Sequence, residues 1–362
     1  MNRIPPLATL LAALFTCCAV SAQTQLAQYR PGVTTDGAVY FLPKTGINVE
    51  VMVEKTTYQP GDFCRYAQRY LRQNDVSQEP SVSYRIIAIE QTPFALPDTL
   101  KGYAVKFNAK TVAANVALAD DGRLLAINAE PIKAQTTKLS FTPARRPAPI
   151  NPRQLMSEEI LAAGSTTKMA ELTAHEIYDL RENRNLLIKG QADFMPQDGN
   201  QMRLMLHQLE EQERALSSMF VGTTTRDTTL HVVTVVPDGP MQRQLLFRLS
   251  QVNGLVDIDD LSGTPYYISI EDMKTVPEID VEAAMKAKKK QYEAGIYVNV
   301  PGRMRSTLFE GINALQTVEL PAPQFGNVEL LSAELFNKHY TTHLWLNPIT
   351  GAVDRLEAEQ PK

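Results

Sequence analysis

Histidine and carboxylate side chains at helical spacing are the first residues in this sequence that suggest chemistry. His175 and Glu176 match the start of the H-E-x-x-H zinc motif, but Asp179 stands where the second histidine belongs. A protein zinc site needs at least three ligands, and no third ligand is evident in the sequence. We therefore predict no metal site and no cofactor, and we interpret His175 as a solvated helix residue.

A second histidine pair, His339 and His343, lies in a segment with the alternating pattern of a β-strand. Four residues of strand span about 13 Å, too far for two ligands that each lie about 2 Å from one zinc ion. Alternation instead places both histidines on one face with Trp345, the only tryptophan. This face would stack on a sugar or contact a partner if it is exposed. Because most tryptophans are largely buried, we favour a covered, structural face.

The remaining charged clusters have solvated surfaces as their simplest explanation. Asp257–Asp260 gathers oxygen ligands but lacks the closing glutamate of an EF-hand loop, so a surface calcium site is only the alternative. Lys286–Lys290 is a brief basic run, and the net charge of −4 gives no cationic field for nucleic acid. No G-x-S-x-G, P-loop or dinucleotide motif occurs. We therefore predict no catalytic residue and no nucleic-acid partner.

The elements that would position these residues are organised around residues 168–222. Two segments with a helical apolar period flank a polar turn there, which predicts a long helical hairpin. Arg181 and Arg184 fall on or beside the apolar face of the first helix, where a charge must be paired or must reach water. We predict a structural ion pair between the helices. Its candidate acceptors are Glu210, Glu211 and Glu213.

Alternating apolar residues predict β-strands on both sides of this hairpin. The expected fold class is α+β, with two mainly antiparallel β units flanking a central long helical hairpin. A short similarity between Val39–Pro43 and Ile296–Pro301 leaves an internal duplication open. The predicted divisions are a signal peptide at 1–22, an N-terminal β unit with one short helix at 23–128, a Pro-rich connector at 129–167, the hairpin at 168–222 and a C-terminal β unit at 223–362.

The N-terminus has the pattern of an export signal. Arg3 precedes an apolar stretch, Leu7–Val20, that is too short to span a bilayer comfortably. Small residues up to Ala22 then precede Gln23, as signal peptidase requires. We predict cleavage after Ala22 and no transmembrane segment in the mature chain.

The cysteines fit an exported protein that has no internal disulfide. Cys17 and Cys18 raise a lipoprotein alternative, but the bulky Phe15 does not suit lipid attachment, so we predict no lipid anchor. After cleavage only Cys64 remains, and a disulfide needs two cysteines. Because Cys64 lies beside an apolar helical stripe, we predict a small core residue and not a reactive thiol.

Five phrases of the sequence are distinctive in combination: YFLPKT, EKTTYQPGDFCRYAQRYL, IYDLRENRNLLIKGQADFMPQDG, LPAPQFG and NPITG. Together they resemble a family of secreted Bacteroidetes proteins classed only as a domain of unknown function. The resemblance implies a Gram-negative secretory route to the periplasm or the outer-membrane periphery. It implies no activity and no catalytic residue.

The function predicted from these observations is that of a non-catalytic binding or assembly protein with a scaffold-like role. Its expected partner is an unknown envelope protein or a glycan. Two alternatives remain open: a periplasmic hydrolase whose site assembles from distant segments, and a glycan-binding module that uses Trp345.

Overall fold

The computed structural model describes residues 25–29, 38–106, 115–133, 150–278, 295–336 and 341–360. About 50% of these residues are in strands and 23% are in helices, and the strands form three antiparallel sheets. The predicted α+β class is therefore wrong, because the described part of the chain is mainly β. The predicted signal peptide, both of its cysteines, Lys286–Lys290 and His339 lie outside the described residues.

The strands in chain order are β1 (Gln25–Gln28), β2 (Ala38–Gln59), β3 (Ser81–Lys106), β4 (Val116–Leu118), β5 (Leu124–Ile127), β6 (Thr223–Val235), β7 (Met241–Ser250), β8 (Gly254–Val256), β9 (Thr264–Asp272), β10 (Gly295–Glu310), β11 (Asn313–Ser332), β12 (Thr341–Leu346) and β13 (Val353–Glu359). The α-helices are α1 (Glu158–Leu161), α2 (Thr166–Lys189) and α3 (Gly199–Val221). Short helical turns cover Cys64–Tyr66, Ala67–Leu71, Pro152–Leu155 and Ala333–Phe336.

The strand order shows why two separate β units are also wrong. Sheet 1 has the order β1-β3-β2-β6, sheet 2 has β11-β10-β9-β7-β8, and sheet 3 has β13-β12-β5-β4. Sheets 1 and 3 each combine strands from before and after the helices, because β6 pairs with β2 and β12 pairs with β5. Alternation in a sequence reports which face of a strand is buried, but it does not report which strand lies beside it.

Strands β2 and β3 continue through prolines, which lack the N–H donor of a regular strand residue. They pair from Tyr58 opposite Ser81 to Ala38 opposite Val105, and this pairing includes Pro43 opposite Pro97. The ladder tolerates these prolines at an irregularity, since the register shifts between Phe41 and Pro43. The long strands thereby reach two different hydrophobic cores.

Sheets 1 and 2 share the larger of these cores. Alternate residues of β2, from Ile47 to Val53, face Ile268 and Ile270 of β9 and Met304 of β10. These side chains are at most 2% exposed, as expected for two sheets packed face to face. A second core lies beneath sheet 3 and is built from residues of several strands and one helical turn, namely Tyr40, Leu42, Val105, Leu124, Ile127, Ile296, Val298, Phe336, Leu344 and Leu346.

The helices do not act as a hub between β units. Helix α2 ends at Gly190, which has φ 69°, and Asp198 caps α3 by accepting from the backbone N–H groups of Asn200 and Gln201. Both helices pack with α1 and the turns near Phe63 in a third core, to which no strand contributes a buried residue. They form a separate layer with its own core, so the predicted central position of the helices is wrong.

The segment predicted as one short helix is two consecutive turns. Cys64–Tyr66 is a 3₁₀ turn and Ala67–Leu71 is a π turn, and Arg72 then adopts a left-handed conformation. Cys64 is a free thiol and is half-buried, whereas its neighbour Phe63 is fully packed in the helical core. Among the described residues, no helix has the length and apolar character needed to cross a membrane.

Candidate functional site

His343 and Trp345 share the outer face of β12, while Thr342, Leu344 and Leu346 are buried on its inner face. The two rings stack with their centroids 6.0 Å apart, and His343 Nδ1 lies 2.5 Å from the carbonyl oxygen of Asn128. The third predicted residue of this face, His339, lies outside the described residues. The face is therefore fixed by contacts within the molecule.

The indole ring of Trp345 is partly covered by a cation from the neighbouring strand. Arg355 lies directly opposite Trp345 in the β12–β13 register, and its guanidinium is 4.9 Å from the ring centroid. Glu357, opposite His343, forms an ion pair with Arg355. A sugar that stacked on this side of the ring would have to displace Arg355, so glycan binding through Trp345 remains a prediction without further support.

Helices α2 and α3 bring three of the predicted ion-pair residues together. Arg181 Nε lies 2.6 Å from Glu213 Oε1, and Arg184 Nη1 lies 2.7 Å from Glu213 Oε2. The Glu213 side chain is 15% exposed, so both of its oxygens are bonded in a partly desolvated position. Glu210 is exposed and is not the carboxylate that the two arginines contact. Nothing in this geometry suggests a reaction.

The residues that suggested metal binding are dispersed on surfaces. His175 and Asp179 are exposed on α2. In the acidic loop, Asp260 accepts a hydrogen bond from the backbone N–H of Ser262, which lowers the pKa of its carboxyl group. Within the described ranges, no three His, Cys, Asp or Glu side chains are arranged to hold a metal ion.

A cavity of about 510 Å³ opens at the side of the two-sheet sandwich. It lies between β3 and the end of sheet 2 where β9, β10 and β11 meet. Its wall is apolar at Ile86, Ile89 and Leu249, and polar groups lie among these residues. This volume and mixed lining are typical of a small-ligand site. Its complete lining is Tyr84, Arg85, Ile86, Ile87, Ala88, Ile89, Leu249, Gln251, Thr264, Tyr266, Glu310, Leu315 and Gln316; we call it the lateral pocket.

Tyr266 and Glu310 form the main polar group of the lateral pocket. The β9–β10 register places them directly opposite each other, which explains why their side chains meet. The Tyr266 hydroxyl donates to Glu310 Oε1 over 2.7 Å, while its ring stacks on Phe247 at 4.7 Å. Burial, followed by the hydrogen bond and charge of Glu310, raises the pKa of Tyr266 well above its usual value of 10.0. Tyr266 is therefore a neutral hydrogen-bond donor at physiological pH.

Contacts between the sheets hold the lateral pocket open near both of its ends. The backbone N–H of Tyr84 donates to the carbonyl of Gln251 over 2.8 Å. Further along β3, the buried Gln91 donates to Gln316 Oε1 over 3.2 Å and accepts from Ser306 Oγ over 2.5 Å. These bonds connect β3 to sheet 2, so the pocket is preformed.

Gly254 supports one wall of the lateral pocket. Its φ of 77° lies in the left-handed region, and a Cβ atom there would lie 3.0 Å from two carbons of the Tyr84 ring. The absence of a side chain therefore lets the Tyr84 ring lie close to this turn. Sheet 2 thus positions the aromatic wall contributed by sheet 1.

A second cavity, of about 830 Å³, lies between Phe94 and Pro348. Arg123 is its central cation, but its Nε already donates to both oxygens of Asp121, and its Nη1 donates to the carbonyl of Pro348 over 2.7 Å. The group best placed to recognise a polar ligand there is therefore occupied by the protein. For this reason, the lateral pocket is the stronger candidate site.

The lateral pocket is not evident from the sequence because its residues come from segments far apart in the chain. Tyr84, Tyr266, Glu310 and Gln316 lie on four different strands. The available sequence signal was local: Glu310 ends a strand immediately before the Gly311 turn. A carboxylate at a strand end usually faces water, so this position alone did not predict a site.

The fold and the pocket define a mainly antiparallel β protein with a preformed cavity between two sheets. Residues 36–354 match the family model described as Domain of unknown function (DUF4831). The chain therefore belongs to this family, as the resemblance in its sequence phrases predicted, although its origin in Bacteroidetes is not shown by this match. No curated protein and no solved structure matches the chain.

Proposed function

We propose that this protein is a non-catalytic binding protein of the cell envelope and that the lateral pocket is its ligand site. The observation that carries the proposal is the preformed cavity of about 510 Å³ with an apolar wall and a hydrogen bond between the buried Tyr266 and the half-buried Glu310. Pockets that combine these features recognise small molecules or one part of a larger partner. The scaffold is rigid around the site because bonds cross between the sheets near both ends.

The envelope location is the second part of this proposal. The leader ending at Ala22 supports export, and the phrases shared with secreted proteins support the periplasm or the outer-membrane periphery. Mass spectrometry of the protein purified from its native host tests this step. A mature N-terminus at Gln23 is expected, whereas an intact Met1 or a lipid on Cys17 or Cys18 would contradict it.

Native mass spectrometry of the purified protein tests the binding role. We expect a co-purified molecule that is lost on Leu315→Trp, because Leu315 lines the pocket and a larger ring would fill it. Ile312→Trp is the matched control, since Ile312 lies three residues earlier in the turn before β11, is 83% exposed and does not line the pocket. Equal occupancy in both variants, or no co-purified molecule in the parent protein, would contradict the proposal.

A further inference from the structure

The lateral pocket contains a carboxylate, Glu310, that pairs with no cation among the described residues. Glu310 Oε1 accepts the Tyr266 hydroxyl, but within the described part of the chain no Lys, Arg or His forms an ion pair with Glu310, and its Oε2 receives no hydrogen bond. A half-buried carboxylate is normally paired or well solvated. Glu310 therefore gives the inside of this pocket an uncompensated negative charge.

The other charged residue in the lining does not neutralise this charge. Arg85 donates through Nε to Glu54 Oε1 over 2.8 Å, and its Nη2 lies 2.8 Å from the same oxygen. Its positive charge is thus directed to β2 and away from the sheet 2 side of the pocket. Among the charged residues that line the pocket, Glu310 is the one left to attract a ligand.

Two aromatic rings stand in the same lining. Tyr266 keeps its ring in place by stacking on Phe247, and Tyr84 is positioned against Gly254. The Nζ atom of Lys55 lies 5.9 Å from the Tyr84 ring centroid, near the outer limit of a cation–π contact, so this ring already faces one cation of the protein. Aromatic rings beside a carboxylate are a common means of recognising ammonium groups.

We infer that the lateral pocket binds a ligand that joins an ammonium group to an apolar body. This inference rests on the proposed binding role and names the ligand class for the same site. The ammonium donates to the free oxygen of Glu310, and the apolar part lies against Ile86, Ile89 and Leu249. A ligand carboxylate would meet the charge of Glu310, while the Arg85 guanidinium in the lining is already paired with Glu54, so such a ligand is disfavoured.

Isothermal titration calorimetry with three probes of equal chain length tests the ligand class. Hexylammonium, hexanol and hexanoate are titrated into the full chain at neutral pH. We expect hexylammonium to bind at least about tenfold more tightly than hexanol, the ratio that one charge-assisted hydrogen bond provides. Hexanoate is expected to bind more weakly than either.

Two matched substitutions test whether the preference for hexylammonium over hexanol depends on Glu310. Glu310→Gln removes the charge but keeps an oxygen that can accept from Tyr266, so the preference for hexylammonium over hexanol should disappear while the protein stays folded. Glu319→Gln is the control, because Glu319 is an exposed carboxylate of β11 that pairs with Arg303 and Arg305 outside the pocket. It should keep the full preference.

The outcomes separate the ligand class from the binding role. Equal binding of hexylammonium and hexanol, tighter binding of hexanoate, or a preference that survives Glu310→Gln would overturn the ammonium inference. If none of the probes binds, the inference is also wrong; a co-purified molecule displaced by Leu315→Trp would then still support the binding role. A thermal unfolding midpoint for Glu310→Gln near that of the parent protein confirms that the variant is folded.

Discussion

Glu213 and Glu310 are two partly buried carboxylates with opposite surroundings. Both oxygens of Glu213 are bonded by arginines of the neighbouring helix, at 2.6 and 2.7 Å. Glu310 has one neutral donor, Tyr266, and faces a cavity. The charge of the first carboxylate is paired within the fold, whereas no cation among the described residues pairs with the second.

This difference separates a structural from a functional use of the same side chain. Removing one member of a satisfied pair leaves the other charge without a partner, so Glu213 should matter for stability. Removing an uncompensated charge leaves nothing behind, so Glu310 should matter for binding and little for stability. Substitutions at the two sites should therefore affect different measurements.

Glu213→Ala is expected to give the largest loss of stability. It leaves Arg181 and Arg184 without their shared acceptor, which should cost about 2 kcal/mol in the free energy of unfolding, the range for hydrogen bonds to charged groups. Urea unfolding followed by circular dichroism measures the change. Glu210→Ala, one turn earlier and exposed, is the matched control and should change this free energy by less than about 0.5 kcal/mol. Equal effects of the two variants would show that the ion pair is not structural.

Arg184→Leu should have a smaller effect than loss of Glu213. Arg181 still pairs with Glu213 in this variant, so we expect a loss of about 1 kcal/mol in the free energy of unfolding. Arg184→Lys keeps the charge and should lose less than half of that amount. Thermal unfolding of both variants checks the order. If the leucine variant were as stable as the parent protein, the ion pair of Arg184 with Glu213 would not stabilise the fold.

The sequence predicted local features of the fold better than its architecture. Helices α2 and α3 lie close to the predicted range of residues 168–222, and Gly190 and Asp198 cap them, because capping depends on residues a few positions apart. His343 and Trp345 share one face of β12, as the alternating pattern of this segment predicted. The pairing of β6 with β2 was not predictable in this way, since the partners are separated by more than 160 positions in the chain.

The candidate site was even less predictable from the sequence, because it depends on contacts between residues far apart in the chain. Tyr266 and Glu310 become neighbours only through the β9–β10 register, which no local pattern specifies. Trp345 was a candidate binding residue because it is the only tryptophan, yet Arg355 partly covers its ring. The sequence predicted partners for Arg181 and Arg184 because a charge on an apolar helix face must be paired or must reach water. The candidate partners were on the next helix, where Glu213 lies.

Tyr266→Phe should reduce the loss of stability that the protein undergoes at alkaline pH. In the folded protein the raised pKa of Tyr266 keeps its hydroxyl protonated, whereas the unfolded chain loses this proton near pH 10.0. Stability from this group is thus complete below that pH and falls as pH rises above it. Urea unfolding at about pH 8 and pH 11 should show a smaller alkaline loss in Tyr266→Phe than in the parent protein. An equal loss would mean that Tyr266 does not contribute to the alkaline dependence.

Glu310→Gln should have the smallest effect on stability, in contrast to the loss expected from substituting Glu213. The glutamine oxygen can still accept from Tyr266, and no cation of the described residues loses a partner, so the free energy of unfolding should change by less than about 0.5 kcal/mol. A slight gain is equally consistent, because a half-buried charge has been removed. Urea unfolding beside Glu213→Gln measures the contrast. If Glu310→Gln lowered the free energy of unfolding as much as Glu213→Gln, Glu310 would also be paired within the fold. The pocket would then carry no uncompensated charge to attract a cation.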